Sequence, residues 1–223
     1  MVKKTKEESE ETRRKIVRAA GKVFEEKGYS ATNLQNVAAD AGVTRGAVYW
    51  HFPKGKPELF MAVLRPCHDK SQALMEKVFA GTENPLEKFM VFLRRVQRMI
   101  HDDPEYRRAL ILLATKWERT EEVEPYLQAM MTEGMGQVQT VVEVFVQGQK
   151  MGMFHPDIHP MVAFMLLNGA VNDTFRLWLY SPEMIPLTLL MDGMFDLWAR
   201  GVCLPGVWKG WPKENINTEK ETL

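Results

Sequence analysis

The sequence predicts an all-α protein, and three observations support this. Apolar residues recur at spacings of three and four along almost every periodic stretch of the 223 residues, which is the period of an amphipathic helix. The breaks between these stretches fall at Gly or Pro. No alternating apolar and polar run of the kind that predicts a strand stands out. We therefore expect about nine helices, arranged as a three-helix N-terminal domain and a larger helical domain.

Capping signals mark the first two helices. Thr5 and Glu8 have the spacing of a capping box, and Gly28 is expected to end the first helix because glycine readily adopts the conformation that follows one. Thr32 and Gln35 repeat the capping pattern. We therefore expect a long first helix, a break at Gly28 and a second helix of about two turns after Thr32.

A short glycine turn separates the second helix from the third. The second helix is expected to end at Ala41, Gly42 supplies the positive φ of the turn, and Thr44 is expected to cap a helix that runs to about His51. Two short helices joined in this way are typical of a helix-turn-helix unit. The residues expected to pack where the two helices meet are Val37, Ala38, Ala41, Val43 and Val48.

The rest of the chain is predicted to be a larger helical domain with a polar tail. Its first helix begins near Pro57 and contains Pro66, which is either a hinge or, in the interpretation we favour, a tolerated bend. Further helices are expected at 85–101, 104–117, 122–151, 160–180 and 186–200. The tail at 209–223 is polar, although Trp208 and Trp211 are able to pack back onto the body.

Charge is divided between the two ends of the chain. Lys and Arg total 29, as do Asp and Glu, so the formal net charge is zero. Residues 1–56 contain twelve Lys or Arg and seven Asp or Glu, a net +5, whereas residues 57–223 contain 17 and 22, a net −5. A basic domain at 1–56 joined to an acidic domain at 57–208 suggests a nucleic-acid-binding module attached to a domain with another role.

Membrane proteins and enzymes have no support in the sequence. No apolar run reaches the roughly 20 residues of a membrane span, and the charged start, MVKKTKEESEETRRK, is unlike a signal peptide. We therefore expect a cytoplasmic protein without a membrane partner. The chain contains no nucleophile elbow, phosphate loop, HExxH or paired-carboxylate motif. Neither catalysis nor a cofactor is expected.

Metal binding and disulfides are also not expected. Cys67 and Cys203 are far apart and outside any CxxC pattern, which argues against a disulfide framework or a structural zinc. His155, Asp157 and His159 have a spacing that would allow contact with a metal. The prolines beside them favour a solvated turn instead.

The third helix carries side chains suited to DNA. Its exposed members are expected to be Thr44, Arg45, Gly46, Tyr49, Trp50 and His51. Arg45 is the expected base reader because a guanidinium can bridge the O6 and N7 atoms of guanine. The hydroxyl and imidazole groups of Thr44, Tyr49 and His51 can donate to phosphate oxygens, and Gly46 allows close approach of the backbone.

Two more residues are expected to clamp the DNA backbone beside the groove. Thr32 and Lys56 are predicted at helix N-termini, where free amides and the positive end of the helix dipole favour an anion. Phe52 is expected in the core of the small domain, and Trp50 could pack inward or face DNA.

The segment LQNVAADAGVTRGAVYWHFPKGKPELF, residues 34–60, resembles the DNA-binding region of the TetR family of transcriptional regulators. The opening KKTKEESEETRRKI and the run GVTRGAVYWHF are most similar to the AcrR-like branch, whose members repress multidrug efflux pumps. The likeness is strong over residues 3–65. Beyond them it depends on helix lengths, a KWE segment at 116–118, the GMF turn at 152–154 and Trp178.

The resemblance implies that the protein acts as a dimer. A single two-turn helix reads too few base pairs for specificity in a genome, so such modules bind inverted repeats in pairs. In the family the last two long helices, here 160–180 and 186–200, supply the interface. A stripe at helical spacing on the last one consists of Leu187, Leu190, Met194 and Leu197. The loop between Phe52 and Leu59 is one residue longer than is usual in the family.

A candidate ligand-binding face lies on the helix expected at 160–180. Its members are Phe164, Asn168, Val171, Asn172, Phe175 and Trp178. Buried amides need hydrogen-bonding partners, and an apolar face with few polar groups is typical of small-molecule sites. Such stripes are also common in plain cores, and the amides could bond across a dimer. The resemblance to AcrR-like pockets adds Cys67, Leu93, Val96, Ala114, Val141 and Leu167.

Two functions fit these observations. The first is a ligand-responsive repressor that binds a palindromic operator as a dimer and is released by a small hydrophobic or aromatic inducer, in control of an efflux pump as the resemblance implies. Inducer binding is then expected to be felt at Lys56, because the helix from Pro57 connects this clamp with Cys67. The alternative is a DNA-binding regulator that is non-inducible or controlled by a protein partner.

Overall fold

A computed structural model describes residues 6–115 and 120–211. Within these ranges the chain is all-α, as predicted, and none of the described helices is long and apolar enough to cross a membrane. Thr5 of the expected capping box, the KWE segment and residues 212–223 lie outside the described ranges. The helices are α1 (Lys6–Ala31), α2 (Leu34–Asp40), α3 (Arg45–His51), α4 (Lys56–Gly81), α5 (Pro85–Asp102), α6 (Pro104–Thr115), α7 (Glu124–Lys150), α8 (Pro160–Tyr180) and α9 (Leu187–Val202).

Gly28 breaks α1 as predicted. Its φ of 77° is non-helical, and the chain makes one further turn to Ala31 before the helix ends. Ile16, Ala20 and Val23, which follow one another at spacings of four and three along α1, are buried.

The helix-turn-helix unit forms with the predicted boundaries, except at the cap of α2. Asn33 caps this helix, since its side chain accepts a hydrogen bond from the Gln35 amide at 2.9 Å. The predicted cap, Thr32, is wrong by one residue because its hydroxyl bonds the end of α1 instead. Gly42 has the expected positive φ of 65°.

The first helix of the larger domain starts one residue earlier than predicted, at Lys56, and continues through Pro66 to Gly81. Pro66 lies on the exposed side of α4. The helix therefore accommodates Pro66 without ending, and the choice between a hinge and a tolerated bend stays a prediction.

By their contacts, residues 1–141 and residues 142–223 form two compact units. In the first unit, α1 packs against α4 and α6, and α5 packs against α4 and α6. The domain division expected at 1–56 and 57–208 follows charge and motifs, and it stays a prediction.

The second unit is built on α8, α9 and a reversal of the chain after α7. Phe154 is buried and stacks on Phe145 with 4.6 Å between ring centroids. The Trp198 indole donates to the Ala163 carbonyl at 3.1 Å, which joins α9 to α8. After α9 the chain folds back: the Trp208 indole donates to Asp196 at 2.7 Å, and the indole of Trp211 donates to the Asp192 carbonyl at 3.0 Å. Both tryptophans therefore pack back on the body.

Candidate nucleic-acid interface

The face of α3 that the sequence assigns to DNA is on the surface. Thr44 caps the helix by accepting from the Ala47 amide at 3.2 Å. Arg45 and Gly46 are exposed, and Tyr49 and Trp50 keep 41% and 71% of their accessible surface. Two adjacent aromatic side chains are therefore available on this face for contact with a partner surface.

Arg45 and Tyr49 form a pair one turn apart on α3. The Arg45 Nη2 atom donates to the Tyr49 hydroxyl at 3.4 Å, and the guanidinium carbon lies 5.5 Å from the centroid of the Tyr49 ring. This contact uses one of the five N–H groups of the guanidinium. The pair therefore restrains Arg45 on the exposed face of α3 and leaves its other N–H donors unused by Tyr49.

The aromatic residues at the end of α3 differ in exposure. The rings of Trp50 and His51 meet edge to face at 4.5 Å, with Trp50 exposed and His51 half-buried. Phe52 is fully buried, as predicted, and the Arg13 guanidinium lies 5.1 Å from its ring centroid.

Beside α3 lies an open cleft of about 840 Å³, which we name the flank cleft. It is bordered by the start of α2, by α3, by the loop that leads into α4 and by the segment just before and within the first turn of α7. Its lining residues are Ser30, Ala31, Thr32, Asn33, Leu34, Arg45, Tyr49, Pro53, Lys54, Gly55, Lys56, Pro57, Glu122 and Tyr126. The starts of α2 and α4 both border it, and helix N-termini favour anions.

Lys56 occupies the first position of α4, but its ammonium group points back to α1. The Nζ atom donates to the carbonyls of Tyr29 at 3.1 Å and Ser30 at 3.4 Å. It also lies 4.4 Å from the centroid of the Tyr29 ring. Glu58 bonds the backbone amide of Lys54 at 2.9 Å, so a carboxylate already occupies part of this helix start.

Thr32 does not present a donor to the cleft in the way the sequence suggests. Its side chain is 4% exposed, and its hydroxyl donates to the Gly28 carbonyl at 2.6 Å. Its amide donates to the Tyr29 carbonyl at 3.2 Å. Both donors therefore close the end of α1, and the polar group at the start of α2 is Asn33.

Sequence reasoning missed three residues of this region, namely Tyr29, Glu122 and Tyr126. The Tyr29 hydroxyl donates to the Glu122 carboxylate at 3.1 Å. Burial and this hydrogen bond raise the pKa of Tyr29 above its ordinary value. The Lys54 ammonium lies 5.9 Å from the centroid of the Tyr126 ring. Glu122 and Tyr126 are more than 60 residues from α3, so no local pattern could have joined them to it.

The expected ligand-contacting residues of the first unit are mostly in the core. Cys67, Leu93, Val96 and Val141 are buried, and Ala114 is half-buried. Burial raises the pKa of the Cys67 thiol to about 12. These side chains alone would form a wholly apolar environment.

Two buried polar groups, one on α4 and one on α7, were not predicted. Among the described residues, the buried Nε2 atoms of His68 and Gln137 have no hydrogen-bond partner. His68 Nε2 lies 3.7 Å from the Glu133 carboxylate, which Arg65 binds at 2.8 Å. Glu133 and Gln137 are one turn apart on α7, so both orphan nitrogens belong to one region. A buried donor without a partner costs on the order of 1 to 3 kcal/mol, so a ligand acceptor there would be favourable.

The two amides expected to be buried on α8 are exposed, and this expectation is wrong. Asn168 and Asn172 are on the surface. The Asn172 Nδ2 atom donates to the Asn168 carbonyl at 2.8 Å, so its own helix supplies the partner. Of the apolar residues on this helix, Phe175 is buried whereas Leu167 and Val171 are half-buried.

An exposed apolar surface covers parts of α8 and α9. Of the predicted stripe, Leu197 is 73% exposed, whereas Leu187, Leu190 and Met194 are half-buried. The large apolar side chains exposed on these helices are Val162, Met165, Leu166, Leu177, Tyr180, Leu189 and Leu197. The exposed apolar residues of α9 are therefore offset from the predicted stripe. The other three members of the predicted stripe are partly covered by the rest of the chain.

Two of the residues considered for a metal, His155 and His159, make structural hydrogen bonds. His159 caps α8, because its Nδ1 atom accepts from the Met161 amide at 3.2 Å. His155 donates its backbone amide to the Val202 carbonyl at 2.9 Å. Within residues 6–115 and 120–211, no group of three His, Cys, Asp or Glu side chains is arranged to hold a metal ion.

Comparison with known proteins agrees with this geometry. The model of the tetR family of bacterial regulatory proteins matches residues 16–63, which run from within α1 to the first part of α4. The transcriptional regulator TtgR of Pseudomonas putida is 30% identical over 188 residues, covering 84% of this chain and 89% of TtgR.

Solved structures with this fold include two repressors of multidrug efflux pumps. NalD, the secondary repressor of the MexAB-OprM pump of Pseudomonas aeruginosa, has a TM-score of 0.72 and 30% identity, covering 90% of this chain and 100% of NalD. SmeT of Stenotrophomonas maltophilia, in its complex with triclosan, has a TM-score of 0.75 and 23% identity, covering 95% of this chain and 98% of SmeT. On the identity and coverage shared with TtgR, and on the match over its helix-turn-helix, this chain belongs to the TetR family of bacterial transcriptional regulators.

Proposed function

We propose that this protein is a ligand-responsive repressor that binds a palindromic operator as a homodimer and is released by a small hydrophobic or aromatic inducer. The observation that carries the proposal is the exposed face of α3, where Arg45 is paired with Tyr49 beside the flank cleft. This face combines a base reader with phosphate donors. Asn33 takes the place of Thr32 as the polar group at the start of α2.

Dimerisation is supported by the exposed apolar side chains of α8 and α9. Contiguous apolar surface on a protein of this kind is typical of an interface. Leu166 and Leu197 are 63% and 73% exposed in the protomer, so a second copy would remove much apolar surface from water. A dimer presents two α3 helices to the two halves of an inverted repeat.

An inducer site is supported by the relatives and by the first unit. NalD represses a multidrug efflux pump, and SmeT was solved with triclosan. In this chain we place the site among Cys67, Leu93, Val96, Ala114 and Val141, and we keep Leu167, Val171 and Phe175 of α8 as separate candidates. We add His68 and Gln137, because their buried nitrogens lack partners among the described residues. An apolar site with a few polar groups suits an aromatic compound that carries a hydroxyl or carbonyl.

Repression and release are linked by thermodynamics. If an inducer binds the form that does not hold DNA more tightly, operator affinity falls by the same coupling factor, typically worth about 1 to 3 kcal/mol. Control of an efflux pump follows from the resemblance to the pump repressors and is part of the proposal.

The proposal is tested by measuring operator binding with and without candidate inducers. A duplex selected from a random library serves as operator, and the panel contains hydrophobic cations and phenols, triclosan among them. We expect at least one compound to weaken operator binding about 5- to 150-fold. Gln137→Leu should reduce the response to a phenol and leave operator affinity without ligand unchanged.

Two results would contradict the proposal in different ways. No preference for any duplex would remove the DNA-binding function. Specific binding that no compound alters would favour the alternative, a regulator that is non-inducible or controlled by a protein partner.

A further inference from the structure

We propose that Glu122, which precedes α7 and lies outside the helix-turn-helix region, is a positioning residue for DNA binding. It holds Tyr29 and, through Tyr29, Lys56, and it places a negative charge in the flank cleft. Operator affinity then depends on where the segment before α7 lies. This inference rests on the proposed function and concerns its regulation.

The first contact in the series that connects Glu122 with Lys56 is the hydrogen bond from Tyr29 to Glu122. Tyr29 is 2% exposed, and its ring packs edge to face on Phe60 with 5.1 Å between centroids and stacks on Phe24 at 6.0 Å. Its hydroxyl reaches the Glu122 carboxylate at 3.1 Å. Because the ring is fixed on two sides, its hydroxyl is a defined anchor for the exposed Glu122 side chain.

The second contact joins Tyr29 to Lys56. The ammonium group lies over the Tyr29 ring at 4.4 Å and bonds the carbonyls of Tyr29 and Ser30. A tyrosine that donates to a carboxylate gains electron density, which strengthens its attraction for a cation. Loss of the Glu122 contact therefore loosens the ammonium group at the start of α4.

Glu122 also acts on DNA directly through its charge. Among the described residues that line the flank cleft, the cationic side chains are Arg45, Lys54 and Lys56, and the carboxylate is Glu122. A DNA phosphate at the helix starts would be attracted by the three cations and repelled by Glu122, and also by Glu58, whose carboxylate bonds the Lys54 amide. Near a protein surface, one charge within a Debye length of a phosphate changes the affinity for DNA by about three- to tenfold.

Ion pairs also join α6 to α1. Arg18 binds Glu105 at 2.9 Å, and Arg108 binds Glu25 at 2.7 Å, so α6 is attached to α1 by two ion pairs. Gly21 permits the close approach, since a Cβ there would lie 3.0 Å from the Arg108 side chain. Lys56, which bonds the Tyr29 carbonyl of α1, is therefore connected to α6 as well as to α4, the only route that the sequence suggested.

The test compares Glu122→Gln with Glu121→Gln, which removes the same charge from the neighbouring exposed residue. The introduced glutamine can still accept from the Tyr29 hydroxyl, so Glu122→Gln removes charge and keeps the contact. We expect Glu122→Gln to bind the selected operator and a random duplex about three- to tenfold more tightly in low salt, with the gain shrinking as salt rises. Glu121→Gln should change both affinities by less than about twofold.

A double-mutant cycle tests the contact itself. Tyr29→Phe removes the hydroxyl and keeps the ring, and thermal unfolding of each variant shows that the fold is intact. We expect Tyr29→Phe to alter operator affinity in the unaltered background and to have a smaller effect in Glu122→Ala, which lacks the acceptor for the Tyr29 hydroxyl.

Equal effects of Glu122→Gln and Glu121→Gln, or additive effects in the cycle, would overturn the inference while the proposed function stood. If the unaltered protein bound no DNA, the proposed function would fail and this inference with it.

Discussion

Arg45 and Tyr49 differ in what they are expected to read, although they touch each other. The guanidinium of Arg45 keeps donors that match a guanine edge, whereas the Tyr49 hydroxyl is suited to a phosphate. The Tyr49 hydroxyl also holds the guanidinium at 3.4 Å. Their substitutions should therefore be distinguishable by the sequences that they affect.

Arg45→Ala is expected to relax base preference at one position in each half-site and to cost about 1 to 3 kcal/mol, because it removes a bidentate base contact. Tyr49→Phe should weaken all duplexes alike. Affinities for the operator, for single-base variants and for a random duplex measure both effects. Loss of discrimination in Tyr49→Phe without weaker binding to random DNA would contradict the division of roles.

The two buried thiols are expected to make the free energy of unfolding depend on pH. Burial raises the pKa of Cys67 to about 12 and of Cys203 to about 11, whereas a thiol in the unfolded chain titrates near 8.5. Above that pH the unfolded state releases protons that the folded state retains, so each thiol lowers the free energy of unfolding as the pH rises.

Denaturant unfolding at a series of pH values checks this for Cys67. Cys67→Ala lacks the titrating group, so its stability deficit relative to the unaltered protein should narrow between about pH 7.5 and pH 10. A deficit that is constant over this range would show that the thiol is accessible and titrates normally in the fold.

Most helix boundaries follow from the residues beside them in the sequence. At the start of α2, packing against another helix determines the cap. Gly28, Gly42 and the prolines at the starts of α5, α6 and α8 mark boundaries that the sequence predicted, because φ preferences and capping are properties of a few adjacent residues. Thr32 and Asn33 are both good caps. Only the packing of Thr32 onto the end of α1 decides between them.

Gly148 of α7 is expected to be required by its neighbour. A Cβ at this position would lie 2.3 Å from the buried Phe154 ring, so Gly148→Ala should destabilise the protein by about 1 to 3 kcal/mol and lower Tm. The control is Gly134→Ala on the same helix, where no atom lies within 4 Å of the added Cβ. That substitution should raise stability by up to about 1 kcal/mol. Calorimetry compares the two, and equal effects would refute the close contact at Gly148.

At the scale of the whole molecule, the proposed dimer is a property of α8 and α9. We expect Leu197→Glu to split it, because a charge in an apolar interface lacks a partner. Met135→Glu, a change at a similarly exposed residue on α7, should leave the dimer intact. Sedimentation velocity measures both. A Leu197→Glu protein that stayed dimeric and bound operator normally would place the interface elsewhere.

Met194 is a poorer site for this test, although the sequence placed it on the stripe. Its side chain is half-buried within the protomer, so a charge there would disturb the packing of α9 itself. A loss of dimer in Met194→Glu would then have two explanations.

By itself, the sequence determined the all-α class, most helix boundaries, the helix-turn-helix unit and the exposed face of α3, because apolar period, glycine φ and capping act over a few residues. Tertiary structure alone decided which groups meet across long separations. It brought Glu122 to Tyr29, and it brought His68 of α4 within 3.7 Å of Glu133 of α7. It also exposed Asn168 and Asn172, which the helical period alone could not distinguish from core residues. A period shows which residues share a face, and the neighbouring elements decide what that face meets.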